Sequence, residues 1–312
     1  MRPSPALPLL LALASPAALA GGDLSACLQR LEPQAQAAGV RAEVFREHTR
    51  ALARDPSVLE ALDHQPEFRT PIWDYLAGLV DAERVADGQA RLDEHADQLA
   101  VVENRYGVDP ATVVAVWGVE SDYGRTFGRK PLLGSLATLS CEGRRQTFFK
   151  GELFALLKLI QAGDLRAEGL VGSWAGAFGH TQFMPSTYAR IAVDGDGDGR
   201  RDLVGSIPDA LASTANYLRQ AGWRTGQPWG YEVRLPEGFV ASVNGRSQRR
   251  PLSQWRARGL RRADGGALPA DERNAALLLP AGAEGPAFLV FRNYDAIYSY
   301  NAAESYALAI AL

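Results

Sequence analysis

The chain has 312 residues, 46% hydrophobic and 22% charged, with 33 basic and 36 acidic side chains and a formal net charge of −3. That is the composition of a folded globular protein of one to three domains with a large core. It excludes the global basic field that recruits nucleic acid. Two cysteines and four scattered histidines (His48, His64, His95, His180) offer no zinc-ligand spacing.

Residues 1–20 read as a signal peptide. Arg2 gives the positive start, Leu7 to Ala14 the apolar stretch, and Ala18-Leu19-Ala20 the small-x-small cleavage pattern. The apolar stretch is too short to span a bilayer, and no cysteine immediately follows it. The expectation is an exported, soluble, periplasmic protein that begins near Gly21 and has no stable membrane anchor. Export makes a Cys27–Cys141 disulfide chemically possible. Two buried free thiols are the alternative, with the bridge preferred.

Residues 24–106 read mostly as helix, with a start at Asp55-Pro56-Ser57 and one amphipathic helix over 82–106. A second helical block runs from Asp109 to about Gly222. It opens with Asp109-Pro110, an N-cap followed by proline at the first helical position. That helix is expected to stop at Gly124. The block continues through 151–162, a glycine-rich loop over 172–182, a helix from about Pro185, and a helix over 208–220 stopped by Gly222. Beyond Gly222, 229–243 and 275–291 alternate like strands. Between them, 246–262 holds seven arginines, read as a solvated surface first and an anion-binding patch second. Asn301 with Glu304 three residues on has the form of a capping box opening a final helix.

One carboxylate stands out. Glu120 ends an otherwise uncharged apolar run, and Val113, Val116 and Trp117 precede it by seven, four and three residues, on the same helix face. Apolar neighbours penalise its charged form, and the negative end of the helix dipole is close. Both raise its pKa, as a general acid for glycoside cleavage requires. The plainer reading pairs Glu120 with Arg125 or leaves it in solvent.

In the loop Gly172-Ser-Trp-Ala-Gly-Ala-Phe-Gly-His-Thr-Gln182, glycines permit close backbone approach to a ligand, and Trp174 and Phe178 are candidate sugar-stacking rings. Taken alone, it is a structural turn. A third feature is Asp194-Gly-Asp-Gly-Asp-Gly-Arg-Arg-Asp202, with aspartates at positions one, three, five and nine and glycine at six, as in the first half of an EF-hand loop. Position twelve is Gly205, not glutamate. Clustered carboxylates repel without a cation, so calcium is preferred to a plain polar turn.

Taken together, these pieces resemble the lytic transglycosylases of the membrane-bound lytic transglycosylase B family (glycoside hydrolase family 103 type), in a soluble form. The resemblance covers nearly all of 24–312. It rests on Gly118-Val-Glu-Ser-Asp-Tyr-Gly124, Leu136-Ala-Thr-Leu139, Gly172-Ser-Trp-Ala-Gly-Ala-Phe-Gly179, Gln182-Phe-Met-Pro-Ser186, Ala215-Asn-Tyr217 with Gly222-Trp223, and Tyr300-Asn301. It implies a mainly α fold: a lysozyme-like helical catalytic core with additional N-terminal helices and a small inserted β subdomain. The division expected is 21–107 helical region, 108–230 core, 231–286 β subdomain and 287–312 return to the core.

The resemblance further implies a peptidoglycan lytic transglycosylase with Glu120 as sole acid and base. It would cleave the β-1,4 bond between N-acetylmuramic acid and N-acetylglucosamine, with the C6 hydroxyl closing on C1. Such substrate assistance departs from the two-carboxylate scheme. A hydrolytic muramidase and a non-catalytic peptidoglycan-binding protein are the alternatives. Ser173 and Gln182 match substrate-holding positions, Ser173 toward the N-acetyl group. Tyr300 and Asn301 match a pair near the acid, and Tyr75 matches an aromatic lining the cleft. Asn301 also reads as a helix cap. Asp122, two residues from Glu120 on a helix, reads as structural. Relatives often show tyrosine where this chain has Phe148-Phe149. The metal set implied is Asp194, Asp196, Asp198, Arg200 and the later Asp209, holding a structural Ca²⁺, with no organic cofactor. The partners implied are peptidoglycan glycan strands and proteins of cell-wall synthesis.

Overall fold

The computed structural model describes residues 23–63, 70–240 and 244–312. The signal-peptide reading, His64 and the end of the first strand region fall outside them. The chain opens with α1 (Leu24–Ala37), α2 (Ala42–Thr49) and α3 (Pro56–Leu62). Asp23 caps α1 by accepting from the Ser25 and Ala26 N–H groups, and Asp55 caps α3 ahead of Pro56. Next come α4 (Ile72–Leu79), α5 (Ala82–Glu94) and α6 (Ala96–Tyr106). The single helix expected over 82–106 is therefore two. It breaks at His95, whose backbone leaves the helical region (φ −110°, ψ 23°) and whose ring packs edge-on against Trp117.

α7 (Pro110–Ser121) carries Glu120. After it come β1 (Lys130–Pro131), α8 (Leu132–Cys141), α9 (Gln146–Ala162) and β2 (Val171–Gly172), which pairs with β1. α10 (Pro185–Ile191) starts on Glu152 of α9, a buried carboxylate that accepts from the Ser186 N–H and O–H. α11 (Ile207–Gln220) closes the second helical block.

The chain then forms β3 (Gly230–Arg234), β4 (Arg249–Pro251), α12 (Leu252–Ala257), β5 (Arg261–Arg262), β6 (Asn274–Leu278) and β7 (Ala287–Val290). The five strands make one antiparallel sheet in the order β4-β6-β7-β3-β5. It extends past residue 286 to take in β7. The arginine-rich stretch is solvated only in part: it builds two edge strands and a helix, with Arg258, Arg261 and Arg262 exposed. Arg249 donates to the Val290 and Phe291 carbonyls, and both Arg246 and Arg249 pair with Asp295. α13 (Arg292–Tyr298) and α14 (Glu304–Ala311) return to the helical body.

Burial follows three apolar clusters. In the first, Leu28, Phe45 and Val58 of the N-terminal helices pack with Leu136 and Leu153. A disulfide between Cys27 and Cys141, with Cα atoms 5.9 Å apart, ties α1 to α8 beside it. The second surrounds α7: Val113, Val116 and Trp117 meet Leu99 of α6, Leu211 of α11, Val290 of β7 and Leu308 of α14. The third, around Trp255, Leu277 and Phe291, lies under the sheet. Each fully buried aliphatic side chain contributes about 1.5–3 kcal/mol, so α7, clad on several sides, is held firmly.

Candidate active site

The site grows from the C-terminal end of α7. Asp109 fixes its start by accepting from the Thr112 N–H at 2.9 Å. The helix ends at Ser121, three residues before the expected stop. Asp122, Tyr123 and Gly124 are all left-handed, with φ of 50°, 55° and 87°. Two successive non-glycine residues in that region store strain, which the surroundings must hold. They do so through Tyr123. Its hydroxyl donates to the Arg84 carbonyl at 2.8 Å, and its ring stands edge-on to Trp117. A Cβ on Gly118 would come within 2.7 Å of that ring, so glycine is needed there.

Glu120 lies in the last turn, partly buried. Burial pushes its pKa up to about 8, against the opposing pull of a hydrogen bond from the Tyr306 hydroxyl. Arg125 is not its partner, since it pairs with Asp87 at 2.6 Å and with Asp122. Asp122 also faces Arg84 at 3.9 Å. Tyr306 is absent from the sequence reading because the contact spans 186 residues. The one signal available was a phenol in the first turn of an apolar terminal helix.

The aromatic wall continues outward. The Tyr300 ring stacks near Tyr306 (6.4 Å between centroids) and Tyr217 (4.6 Å), with Phe183 behind. The Tyr300 hydroxyl donates to the Thr181 carbonyl, and that of Tyr217 to the Ser299 carbonyl. Burial and the nearby Glu120 raise the Tyr300 and Tyr306 phenols well above their ordinary value, so both act only as neutral groups. Tyr75 on α4 lies close enough to bear on the Tyr306 hydroxyl.

Asn301 is not a helix cap. α14 starts at Glu304 after an N-cap at Ala303 that lacks a side-chain bond, and the Asn301 carbonyl accepts from the Ala303 N–H. The turn over 299–303 is what delivers Tyr300 beneath Thr181. It leaves the Asn301 side chain uncommitted to a cap.

In the glycine-rich loop, Ser173 Oγ accepts from the Ala177 N–H at 3.0 Å, which leaves its own O–H to donate. Gln182 is left-handed (φ 47°), and its Nε2 donates to the Gly179 and Phe127 carbonyls, leaving Oε1 without a donor among the described residues. Phe178 is not a sugar platform, because it is fully buried and stacked on Tyr188. The glycines serve packing. A Cβ on Gly176 would meet Leu136 at 2.6 Å, and one on Gly179 the Leu203 carbonyl at 2.4 Å. Phe149 belongs to the first core, and Phe148 lies at the surface against Arg145.

The aspartate loop follows α10. Oxygens of Asp194, Asp196 and Asp209 lie within 4.8 Å of one another. Asp209, buried at the start of α11, accepts from the Gly195 and Asp202 N–H groups, and burial raises its pKa. Hydrogen bonds from the Gly199 and Gly197 N–H groups lower that of Asp194. Asp198 stands apart from the cluster. Its carboxylate is turned to the Arg200 N–H at 2.7 Å, and the Arg200 side chain is exposed. Three hard carboxylate oxygens at one point fit a cation such as Ca²⁺.

Residues 23–312 match the family model described as "Transglycosylase SLT domain". The chain is 32% identical to membrane-bound lytic murein transglycosylase B of Escherichia coli (strain K12) over 269 residues, 81% of this chain and 72% of that protein. SltB3 from Pseudomonas aeruginosa, in complex with NAG-anhNAM-pentapeptide, superposes with a TM-score of 0.88 at 50% identity, over 92% of this chain and 77% of that one. The Escherichia coli lytic transglycosylase Slt35 in complex with calcium gives a TM-score of 0.78 at 31% identity, over 91% and 89%. These neighbours share the mainly helical architecture with its small antiparallel sheet.

Proposed function

The chain belongs to the transglycosylase SLT domain family, and from that premise we propose that it is a peptidoglycan lytic transglycosylase in which Glu120 is the sole acid and base. The observation that carries this is the Glu120 carboxyl, held protonated to about pH 8 by burial, with the Tyr306 hydroxyl as its only hydrogen-bond partner among the described residues.

Glu120 gives its proton to the glycosidic oxygen as the bond to C1 of N-acetylmuramic acid breaks. The resulting carboxylate then takes the proton of the C6 hydroxyl as that oxygen bonds to C1, which closes the 1,6-anhydro ring and restores the acid. No water is consumed. Burial favours both halves: it keeps the acid loaded and makes the carboxylate a strong base once formed. Ser173 O–H would donate to the N-acetyl group, and Gln182 Oε1 would accept from a sugar hydroxyl. Tyr75, Tyr300 and Asn301 would line the cleft.

Mass spectrometry of digested sacculi tests this. Anhydromuropeptides are expected from wild type and none from Glu120→Gln, a drop in rate of at least about 10³-fold for loss of the acid. Reducing-end products alone would replace transglycosylation by hydrolysis, and undigested sacculi would leave a binding protein.

We further propose that Asp194, Asp196 and Asp209 hold Ca²⁺ as a structural ion, on the strength of their convergence and of the calcium-bound relative. Millimolar Ca²⁺ should raise Tm in wild type and not in an Asp196→Ala/Asp209→Ala variant, because a ligand specific for the native state stabilises it. Among the described residues no helix is long and apolar enough to cross a membrane. We propose an exported, periplasmic enzyme on the strength of the disulfide and of the proposed substrate.

A further inference from the structure

His180 is built into the support of the Glu120 helix. Its side chain is buried, and its Nδ1 accepts the Trp117 indole N–H at 2.9 Å. Its carbonyl accepts from the Ser121 hydroxyl at 2.8 Å, while its N–H donates to the Leu203 carbonyl. Trp117 and Ser121 flank Glu120 within one turn of α7. His180 thus clamps the turn that carries the acid. It also begins the segment that continues into Thr181, whose carbonyl holds Tyr300, and Gln182. The ring has no slack. It meets Phe127 at 4.8 Å between centroids, and a Cβ on Gly124 would fall 2.3 Å from its Cε1.

The bond has a chemical requirement. An indole N–H only donates, and a neutral imidazole offers one acceptor nitrogen. Nδ1 must therefore carry no proton, which places the ring proton on Nε2. An imidazolium has two donors and no acceptor, so it would oppose the indole N–H instead of binding it.

We propose that His180 is a positioning residue for the transglycosylation: its unprotonated Nδ1 fixes Trp117, and through α7 keeps the Glu120 carboxyl in register with Ser173 and Gln182. The proposal rests on the functional reading above. Displacements of about 1 Å in such a support cost on the order of 10²-fold in rate.

Burial, and not the charged groups around the ring, supports the neutral form. On α7 the titratable group is Glu120. On the turn that follows, Asp122 and Arg125 are engaged with Arg84 and Asp87. Beside Leu203, the Asp202 carboxylate favours protonation, but burial outweighs it and holds His180 below its ordinary value of 6.5. His95 lies across the Trp117 ring. The clamp therefore persists at neutral pH and opens on acidification.

The test measures kcat, KM and Tm for anhydromuropeptide release from purified glycan strands. The variants are His180→Gln, His180→Leu, Trp117→Phe and the double Trp117→Phe/His180→Leu, with ¹⁵N shifts of the wild-type imidazole. His180→Leu should lower kcat about tenfold or more while KM stays within about twofold, and His180→Gln, whose amide oxygen accepts the indole N–H, should recover most of that loss. In the Trp117→Phe background, His180→Leu should add less than about twofold. Wild type should show an acid limb below pH 6.5 that His180→Gln lacks. A proton on Nδ1, equal losses in the Gln and Leu variants, independent effects in the double variant, or a kcat loss that merely tracks Tm would each overturn the proposal. Absence of anhydro products from wild type would instead remove the functional reading, whatever tautomer the ¹⁵N shifts report.

Discussion

The proton on Glu120 is governed by opposed influences of unequal size. Burial raises its pKa, and the Tyr306 hydroxyl partly offsets this by stabilising the carboxylate. Removing that hydroxyl leaves burial unopposed. Tyr306→Phe should therefore shift the alkaline limb of kcat from near pH 8 to a higher pH, read from a pH–rate profile. A limb that stayed put or moved down would show that the hydroxyl does not act on the carboxylate. The same carboxyl links pH to stability. Its folded pKa of about 8 lies above the unfolded value of 4.5, so its stabilising contribution is complete below pH 4.5 and is lost as pH rises through 8. Glu120→Gln has no such loss. Its Tm relative to wild type should climb between pH 4.5 and pH 8 and level off above; a constant difference by calorimetry would contradict the burial. Glu120 was legible because an uncharged run isolates it on one helix face. Tyr306 was not, because no local pattern links residues from opposite ends of the chain.

At the level of elements, local chemistry decided starts better than stops. Asp109, with proline after it, caps α7 as the dipeptide indicates. Asp109→Ala should cost about 1 kcal/mol in denaturant-derived stability, and its effect on kcat should stay within about twofold, since caps hold helix ends and not their far turns. A loss below about 0.3 kcal/mol would mean that packing alone fixes the helix start. Its end was hidden. Gly124 carries the stop signal, but Tyr123 is drawn back onto Trp117 and Arg84, and this forces the chain out of the helix at Asp122. His95 similarly breaks α5 from α6 because its ring is wanted inward. The Asn301-to-Glu304 pattern misled for the same kind of reason. The turn is set by Tyr300 reaching Thr181, and the helix begins only afterwards. Within the arginine-rich segment, Arg246 and Arg249 read as solvated because sequence shows their charges and not Asp295, their shared partner.

Across the whole molecule, the fold class was readable, whereas the sharing of cores was not. Helices from the first eighty residues complete interiors begun by α7, α8 and α9. The Cys27–Cys141 bond reinforces that arrangement across 114 residues of sequence. A Cys27→Ser/Cys141→Ser variant should lose roughly 2–5 kcal/mol of stability, read as a lower Tm with the alkaline limb of kcat unchanged. An unchanged Tm would show that the apolar cluster suffices without the bond.

The ring closed by that bond contains α7, and this has a consequence for damaged enzyme. A protease that cuts the backbone once anywhere between the two half-cystines produces no separate fragments. The pieces migrate as one species on a non-reducing gel and fall apart only when thiol is added. Glu120 is inside the cut loop and Tyr300 and Tyr306 outside, so protein nicked in a turn away from α7 should go on releasing anhydro sugars until it meets a reductant.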